Sequence, residues 1–252
     1  MKSADRHLAL AVLILGLAPA DGGLAADLQW SAPVEVVEVR PDLDLVLAGG
    51  RILRLSGVRV PDALLAQAGE LIGGLITKER TVRLTTEVAP YDRYGRLVAH
   101  IERADGLWLQ GALLERGLAW VQTRPGESAR IDAMRTLEDE ARAEGLGLWG
   151  DPALAPRAAE EAGRAIGSFQ VVRGRILRVD PVGDYVYLNF GEDWWEDFTL
   201  RLRRADVRER FEPAGIRVAE LAGRRVEARG VVLEAGGPLI DLSHPEQLVV
   251  LP

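Results

Sequence analysis

The chain has 252 residues, of which 48% are hydrophobic and 27% charged, enough for two domains of ordinary globular composition. Cysteine is absent and there are only three histidines (His7, His100 and His244), which excludes disulfides, thiolate metal sites, thiol nucleophiles and multi-histidine metal centres. With Lys+Arg 31 against Asp+Glu 38 the net charge is -7, so any hold on a polyanion must come from a local arginine cluster, not from a basic surface.

Lys2 and Arg6 precede an apolar run over 8–18, with small-residue cleavage positions after Ala20 or Ala26. The run is too short to cross a bilayer but suits a signal peptide over 1–26. The mature chain is therefore expected to be exported, periplasmic or secreted, with no integral membrane span left after cleavage. From Val34 the alternation predicts strands over 34–39 and 43–47, then a turn at Gly49 and Gly50 into a strand over 51–58. Pro61 and Asp62 open a helix carrying Leu64, Leu65, Ala68, Leu71, Ile72 and Leu75 at helical spacing. Strands follow over 81–85 and 96–102, with a tight turn, DRYGR, at 92–96. A helix over 107–116 stops at Gly117, and a longer one over 128–143 has Ile131, Met134, Leu137 and Ala141 as its apolar stripe.

Residues 151–164, rich in Ala, Pro and charge, are expected to link two units, 27–150 and 165–252. The second unit reads as strands over 171–179, 185–190 and 198–203, a helical region to Leu221, then strands over 225–233 and 239–251. The last of these is broken at His244 and Pro245. Each unit thus runs three strands, a helix and two strands, the order of a five-stranded Greek-key barrel of the OB type. The expected fold is mainly β with helices: two such barrels in tandem.

Asp42 and Asp44 sit two apart on a predicted strand, so their carboxylates share a face. Arg54 lies between Leu53 and Leu55 and faces away from the side those leucines bury. Asp62 begins the next helix, and Arg96 ends the DRYGR turn. Carboxylates can hold a hard cation and guanidiniums can neutralise the charge that develops on a phosphodiester. On pattern alone the solvated strand surface is the favoured reading of such residues. His100 reads as a strand-face residue without a catalytic partner. Tyr185, Tyr187, Phe190, Trp194, Trp195 and Phe198 form either a stacking platform or packing; the acids Glu192, Asp193, Glu196 and Asp197 beside them favour packing.

Three stretches carry a family resemblance: LRLSGVRVPD (53–62), DRYGRLVAHIERADGLWLQGALLERGLAWV (92–121) and EDEARAEGLGLW (138–149). They resemble the strand-to-helix motif, the later signature and the closing helix of the staphylococcal-nuclease (thermonuclease) family, and the resemblance covers 34–150. YLNFGEDWWEDFTLRL (187–202) and GPLIDLSHPEQL (237–248) resemble an OB-type domain appended to bacterial members. The resemblance implies an OB barrel with packed helices, DNA or RNA as partner, phosphodiester hydrolysis, and calcium as cofactor. It makes Arg54 and Arg96 the catalytic arginines and Asp62 the carboxylate that helps activate water, one methylene shorter than the usual Glu. Tyr94 falls near the substrate phosphate, though a packed turn aromatic is the equal reading. Asp44 falls on a calcium ligand, with Asp42 two residues before it.

The usual second calcium-ligand position is Arg59, and this counts against the metal. Each pairing of an arginine with the cation is repulsive by roughly 1–4 kcal/mol at an effective dielectric near 20. Either Arg59 stands between Asp44 and Asp62 as an internal counter-ion, or it points outward and Asp42 supplies the missing ligand. The expectation is an exported thermonuclease-like protein that hydrolyses or binds nucleic acid with an altered calcium site. The competing reading is a catalytically inactive OB scaffold that binds a protein or cell-envelope partner.

Overall fold

The computed structural model describes residues 30–252 apart from Glu79, Ala89 and Trp194. The expected signal peptide and Trp194 lie outside the described residues. The first unit runs β1 (Val34–Val39), β2 (Leu45–Leu47), β3 (Ile52–Leu55), β4 (Val58–Arg59), α1 (Leu65–Lys78), β5 (Thr81–Thr85), β6 (Leu97–Arg103), α2 (Leu109–Glu115), β7 (Trp120–Val121) and α3 (Ile131–Ala143). Five strands close a barrel in the order β1-β2-β3-β6-β5. β3 lies parallel to β6, and the other four pairings are antiparallel. Alternation sends Leu45, Leu47, Leu53, Val82 and Ile101 inward, all fully buried. Each such leucine contributes about 1.5–3 kcal/mol relative to exposure.

Two predicted strands are shorter than expected, for local backbone reasons. Leu43 adopts a left-handed φ of 66°, and the amide of Leu43 donates to Arg40 O at 2.9 Å. Residues 40–43 are therefore a turn, and Asp42 and Asp44 precede the strand instead of sharing its face. The stretch 51–58 divides at Gly57, whose φ is 77° and whose missing Cβ would come within 2.6 Å of Met134. β4 leaves the barrel there and pairs with β7, Val58 opposite Val121. A 3-10 turn, Asp62–Leu64, leads into α1, which buries Ala68, Ile72 and Ile76 at fourfold spacing. On α3, Met134 and Ala141 are buried as the stripe predicts, but so is Glu138.

The second unit contains β8 (Arg157–Ala158), β9 (Phe169–Arg175), β10 (Arg178–Val182), β11 (Tyr185–Asn189), β12 (Thr199–Arg203), β13 (Arg225–Val231), β14 (Leu233–Glu234), β15 (Pro238–Leu242) and β16 (Leu248–Val250). Its strands form two sheets, β10-β11-β12-β15-β14 and β16-β13-β9-β8, where a second closed barrel was expected. The predicted strand 171–179 breaks where Ile176 turns inward to full burial, and its halves join different sheets. The break near His244 falls as expected, because Pro245 has no amide hydrogen for a ladder. The expected linker 151–164 is not a free tether. β8 pairs with β9, and Ala159, Ala162 and Ala165 of the following 3-10 helix are buried.

The two units dock through an apolar patch and a charged one. Trp120 and Leu148 pack with Phe169 and Val171, the Trp120 and Phe169 rings 5.7 Å apart. Beside them Arg229 Nη1 donates to Glu138 Oε2 at 2.9 Å and Nη2 to Glu227 Oε1 at 2.7 Å. Glu227 also accepts from Arg142 Nη1 at 3.0 Å and Arg173 Nε at 2.8 Å. His244 Nε2 lies 3.0 Å from Thr123 Oγ1, across the same junction. Among the described residues no helix is long and apolar enough to cross a membrane.

Two outcomes are expected. Arg229→Ala strands Glu138 without its buried partner and should destabilise the chain by about 3–5 kcal/mol in thermal or urea melts. The second concerns acid. Burial pushes His244 down to about 4, with Arg210 adding to the effect and Glu127 opposing it. A depressed histidine favours the folded state fully above its ordinary value near 6.5, and that contribution is lost as pH falls toward 4, roughly 2–3 kcal/mol in all. Burial raises Glu227, but Arg229 and Arg142 outweigh it and hold the carboxyl at about 2. Its contribution is present above about 4.5 and lost as pH falls toward 2. Melting temperature should therefore decline in two overlapping windows, and His244→Gln should flatten the upper one.

Candidate phosphodiester site

A cleft of about 340 Å³ opens between the 40–44 turn, the β3–β4 segment, the Asp62 turn, the DRYGR turn and residues 122–124. Asp42, Asp44, Asp62, Asp92, Arg54, Arg59, Arg96 and Arg124 line it. At its floor is Asp44, 3% exposed. Arg54 Nε donates to one of its oxygens at 2.8 Å and Arg96 Nη1 to the other at 3.1 Å. The parallel β3–β6 pairing makes this convergence, since it sets Arg54 beside Val98 and thus near the start of β6, where Arg96 lies. Asp42 reaches the site through the turn: its Oδ1 accepts the Asp44 amide at 3.2 Å, and its Oδ2 lies 3.7 Å from Arg54 Nη2.

Asp92, not singled out in the sequence, builds the other wall. Its Oδ1 accepts the amides of Tyr94 and Arg96 at 2.9 and 3.0 Å, and its Oδ2 accepts Arg96 Nε at 2.8 Å. Burial works against both charges, but the hydrogen bonds between them win. Asp92 is held below the ordinary carboxylate range and Arg96 above the ordinary guanidinium value. The opposite charges of Asp92 and Arg96, four residues apart in DRYGR, were the available signal. Tyr94 is exposed at the turn, its ring 5.0 Å from the Arg96 guanidinium and 4.7 Å from that of Arg93, outside the cleft lining. It is not a packed turn aromatic.

Arg59 is exposed on β4 and faces the same cleft, and among the described residues it makes no ion pair. Both oxygens of Asp44 belong to Arg54 and Arg96, so the first of the two alternatives, a bridge from Asp44 through Arg59 to Asp62, is not formed. Asp62 is exposed and, among the described residues, likewise has no ion pair. This donor set does not fit a divalent ion. Asp44 is occupied by two guanidiniums, an arginine stands where a second acid is usual, and the described residues hold no group of three or more potential metal ligands.

Arg124 and Gln122 were also missed. Glu127, buried, accepts Arg124 Nε at 2.8 Å, the Arg124 amide at 2.7 Å and the Ser56 hydroxyl at 2.5 Å, and so pins residue 124 to the end of β3. His100 is buried in the first core, 3.2 Å from Glu87, with its ring 5.5 Å from Trp108. Glu87 also accepts the Ser128 and Ala129 amides ahead of α3, so the pair is structural. In the second unit Phe198 is core, packed on Phe190 at 5.0 Å. Trp195 is exposed, and Tyr185 and Tyr187 lie on the sheet face with Arg201, which is paired to Asp241 at 2.7 and 2.9 Å.

A family model described as "Staphylococcal nuclease homologue" matches residues 53–151. The match takes in Arg54, Arg59, Asp62, Arg96 and Arg124 and begins after Asp44. The chain is also 33% identical over 104 residues to "Staphylococcal-like nuclease CAN1" of Arabidopsis thaliana, 41% of this chain and 31% of the relative. The match thus spans about a third of that relative's length. Matched motifs, a closed five-stranded barrel and paired arginines at its rim agree: the first unit, over residues 53–151, is similar to the staphylococcal nuclease family.

Proposed function

We propose that the cleft holds a phosphodiester of DNA or RNA and that the first unit acts on it as a nuclease-like domain, with guanidiniums in place of a metal ion as the positive charge at the phosphate. The observation that carries this is Arg59, exposed, lining the same cleft as Arg54 and Arg96, and without an ion pair among the described residues. Arg54 spends its Nε on Asp44 and lines the cleft, with Nη2 3.7 Å from Asp42 Oδ2; a guanidinium matches phosphate oxygens bidentately. Asp62 is the one lining carboxylate without a guanidinium partner among the described residues. It is placed to take a proton from water attacking phosphorus as the bond from phosphorus to the leaving oxygen breaks and that oxygen takes a proton from solvent, while Arg54 and Arg96 donate to the oxygens that gain charge. The second unit's two sheets form one OB-type circuit, β10-β11-β12-β15-β14 and back through β13 to β9, in which β9 continues into β10 and β13 into β14 across bends. Export follows from the signal-peptide reading of 1–26.

Binding is checked with a short fluorescein-labelled oligothymidylate at varied salt. The mature chain should bind equally well in EDTA and in calcium, and Arg54→Ala should weaken binding about tenfold to a hundredfold, the worth of a charge-assisted hydrogen bond. Arg59→Asp should abolish binding in EDTA and make it, and the melting temperature, calcium-dependent. Wild-type binding that disappears in EDTA would overturn the guanidinium reading in favour of a metal held by Asp42 and Asp44. Cleavage of the same probe should fall on Asp62→Asn with little change in affinity. For export, N-terminal sequencing of the mature protein should begin at Asp21 or Asp27, and a chain retaining Met1 would count against it.

A further inference from the structure

β7 is two residues long and cannot hold itself in place, yet it carries the wall of the cleft. On one side it pairs with β4, and the Gln122 amide donates to Gly57 O at 2.8 Å. The alternate backbone groups of a strand point the other way, and here they meet charge. The Val121 amide donates to Glu138 Oε1 at 2.7 Å, and the Val121 carbonyl accepts from Arg229 Nη1 at 3.1 Å. Arg229 belongs to β13 of the second unit and is itself buried, as is Glu138. Two residues on, the Thr123 hydroxyl meets buried His244 of the second unit at 3.0 Å. Between these two anchors lies Gln122, and just beyond them Arg124, both lining the cleft.

We propose that the second unit completes the cleft: Arg229 and His244 are positioning residues that fix β7 and residues 122–124, and through the β4 pairing they set the strand that carries Arg59. This deepens the phosphodiester reading and rests on it for what the wall is used for. Neither residue touches the cleft, so each acts through the backbone it holds. Arg229 satisfies a carbonyl that the short strand otherwise leaves without a partner on that side, and His244 ties the turn after it. The charged groups around Arg229 are Glu138 on α3 and Glu227 on its own strand, with Arg135 on the other side of Glu138 at 3.9 Å and Arg142 and Arg173 on the far side of Glu227.

The test is backbone amide hydrogen exchange of the full mature chain by NMR, with the amides of β2 and β3 as internal reference. Thr123→Val deletes one hydroxyl and leaves the second unit untouched; Arg229→Lys keeps the charge and loses the fork. In each variant the amides of Val121, Gln122 and Arg124 should exchange at least about tenfold faster while the reference amides hold their rates. Oligothymidylate affinity should weaken in the same order. Arg229→Ala adds a stronger perturbation, read only if its reference amides remain protected. Unchanged exchange at 121–124 in both mild variants, or a uniform rise across the barrel, would overturn the positioning role. Faster exchange with unaltered affinity would overturn the claim that the fixed wall serves binding. If the wild-type chain binds no oligonucleotide, the phosphodiester reading fails, while the exchange data still decide whether the second unit fixes the wall.

Discussion

The pairing of Val58 with Val121 is the constraint on which both halves of the molecule rest. It exists because Gly57 lets the chain leave the barrel with a positive φ, against Met134, where a side chain has no room. From that short ladder the cleft is built in one direction, through Arg59 and Gln122. The docked unit is reached in the other, through Glu138 and Arg229. A two-stranded ladder of this length is marginal alone. It persists because its outer backbone groups are satisfied by ionised side chains in a water-poor junction, where such hydrogen bonds are strongest.

The cleft's electrostatics follow from a second economy. Four aspartates and four arginines line it, so the site as a whole is near neutral, in keeping with a chain of net charge -7. What differs is how each charge is held. Asp44 and Asp92 are spent on fixing Arg54 and Arg96, whereas Arg59 and Asp62 face one another's cleft without partners among the described residues. Fixed cations give orientation, and an exposed one gives reach. Fixing a guanidinium before ligand arrives removes rotamer entropy that binding would otherwise cost.

Most of the first unit was legible in the sequence because its signals are local. Strand alternation, the glycine after α2 and the α3 stripe depend on residues within a few positions of one another. Glu138 was not legible. It occupies an acidic position on an amphipathic helix, and its burial is set by an arginine 91 residues away. The two-residue spacing of Asp42 and Asp44 pointed to the right pair for the wrong reason, since a left-handed Leu43, unusual for a leucine, brings them together in a turn. Arg59 was visible as a departure from the family pattern. Neither of its two readings describes the outcome, because Arg54 and Arg96 win the competition for Asp44 while Arg59 still lines the cleft. The linker misled for a compositional reason: alanine serves a tether, but it also serves a tight 3-10 turn against a sheet, and the burial of Ala159, Ala162 and Ala165 is the second case.

The mixed character of the docking surface bears on how the chain is made. The first unit leaves the ribosome first, with the surface of Glu138, Arg142 and Trp120 still uncovered. An all-apolar face of that extent would be adhesive toward any neighbour. The charged side chains beside its apolar patch are instead hydrated while they wait, and they desolvate only against a partner that returns matching charge in register. The same acids and arginines that cost desolvation in the finished molecule therefore select the chain's own second half over other surfaces during assembly.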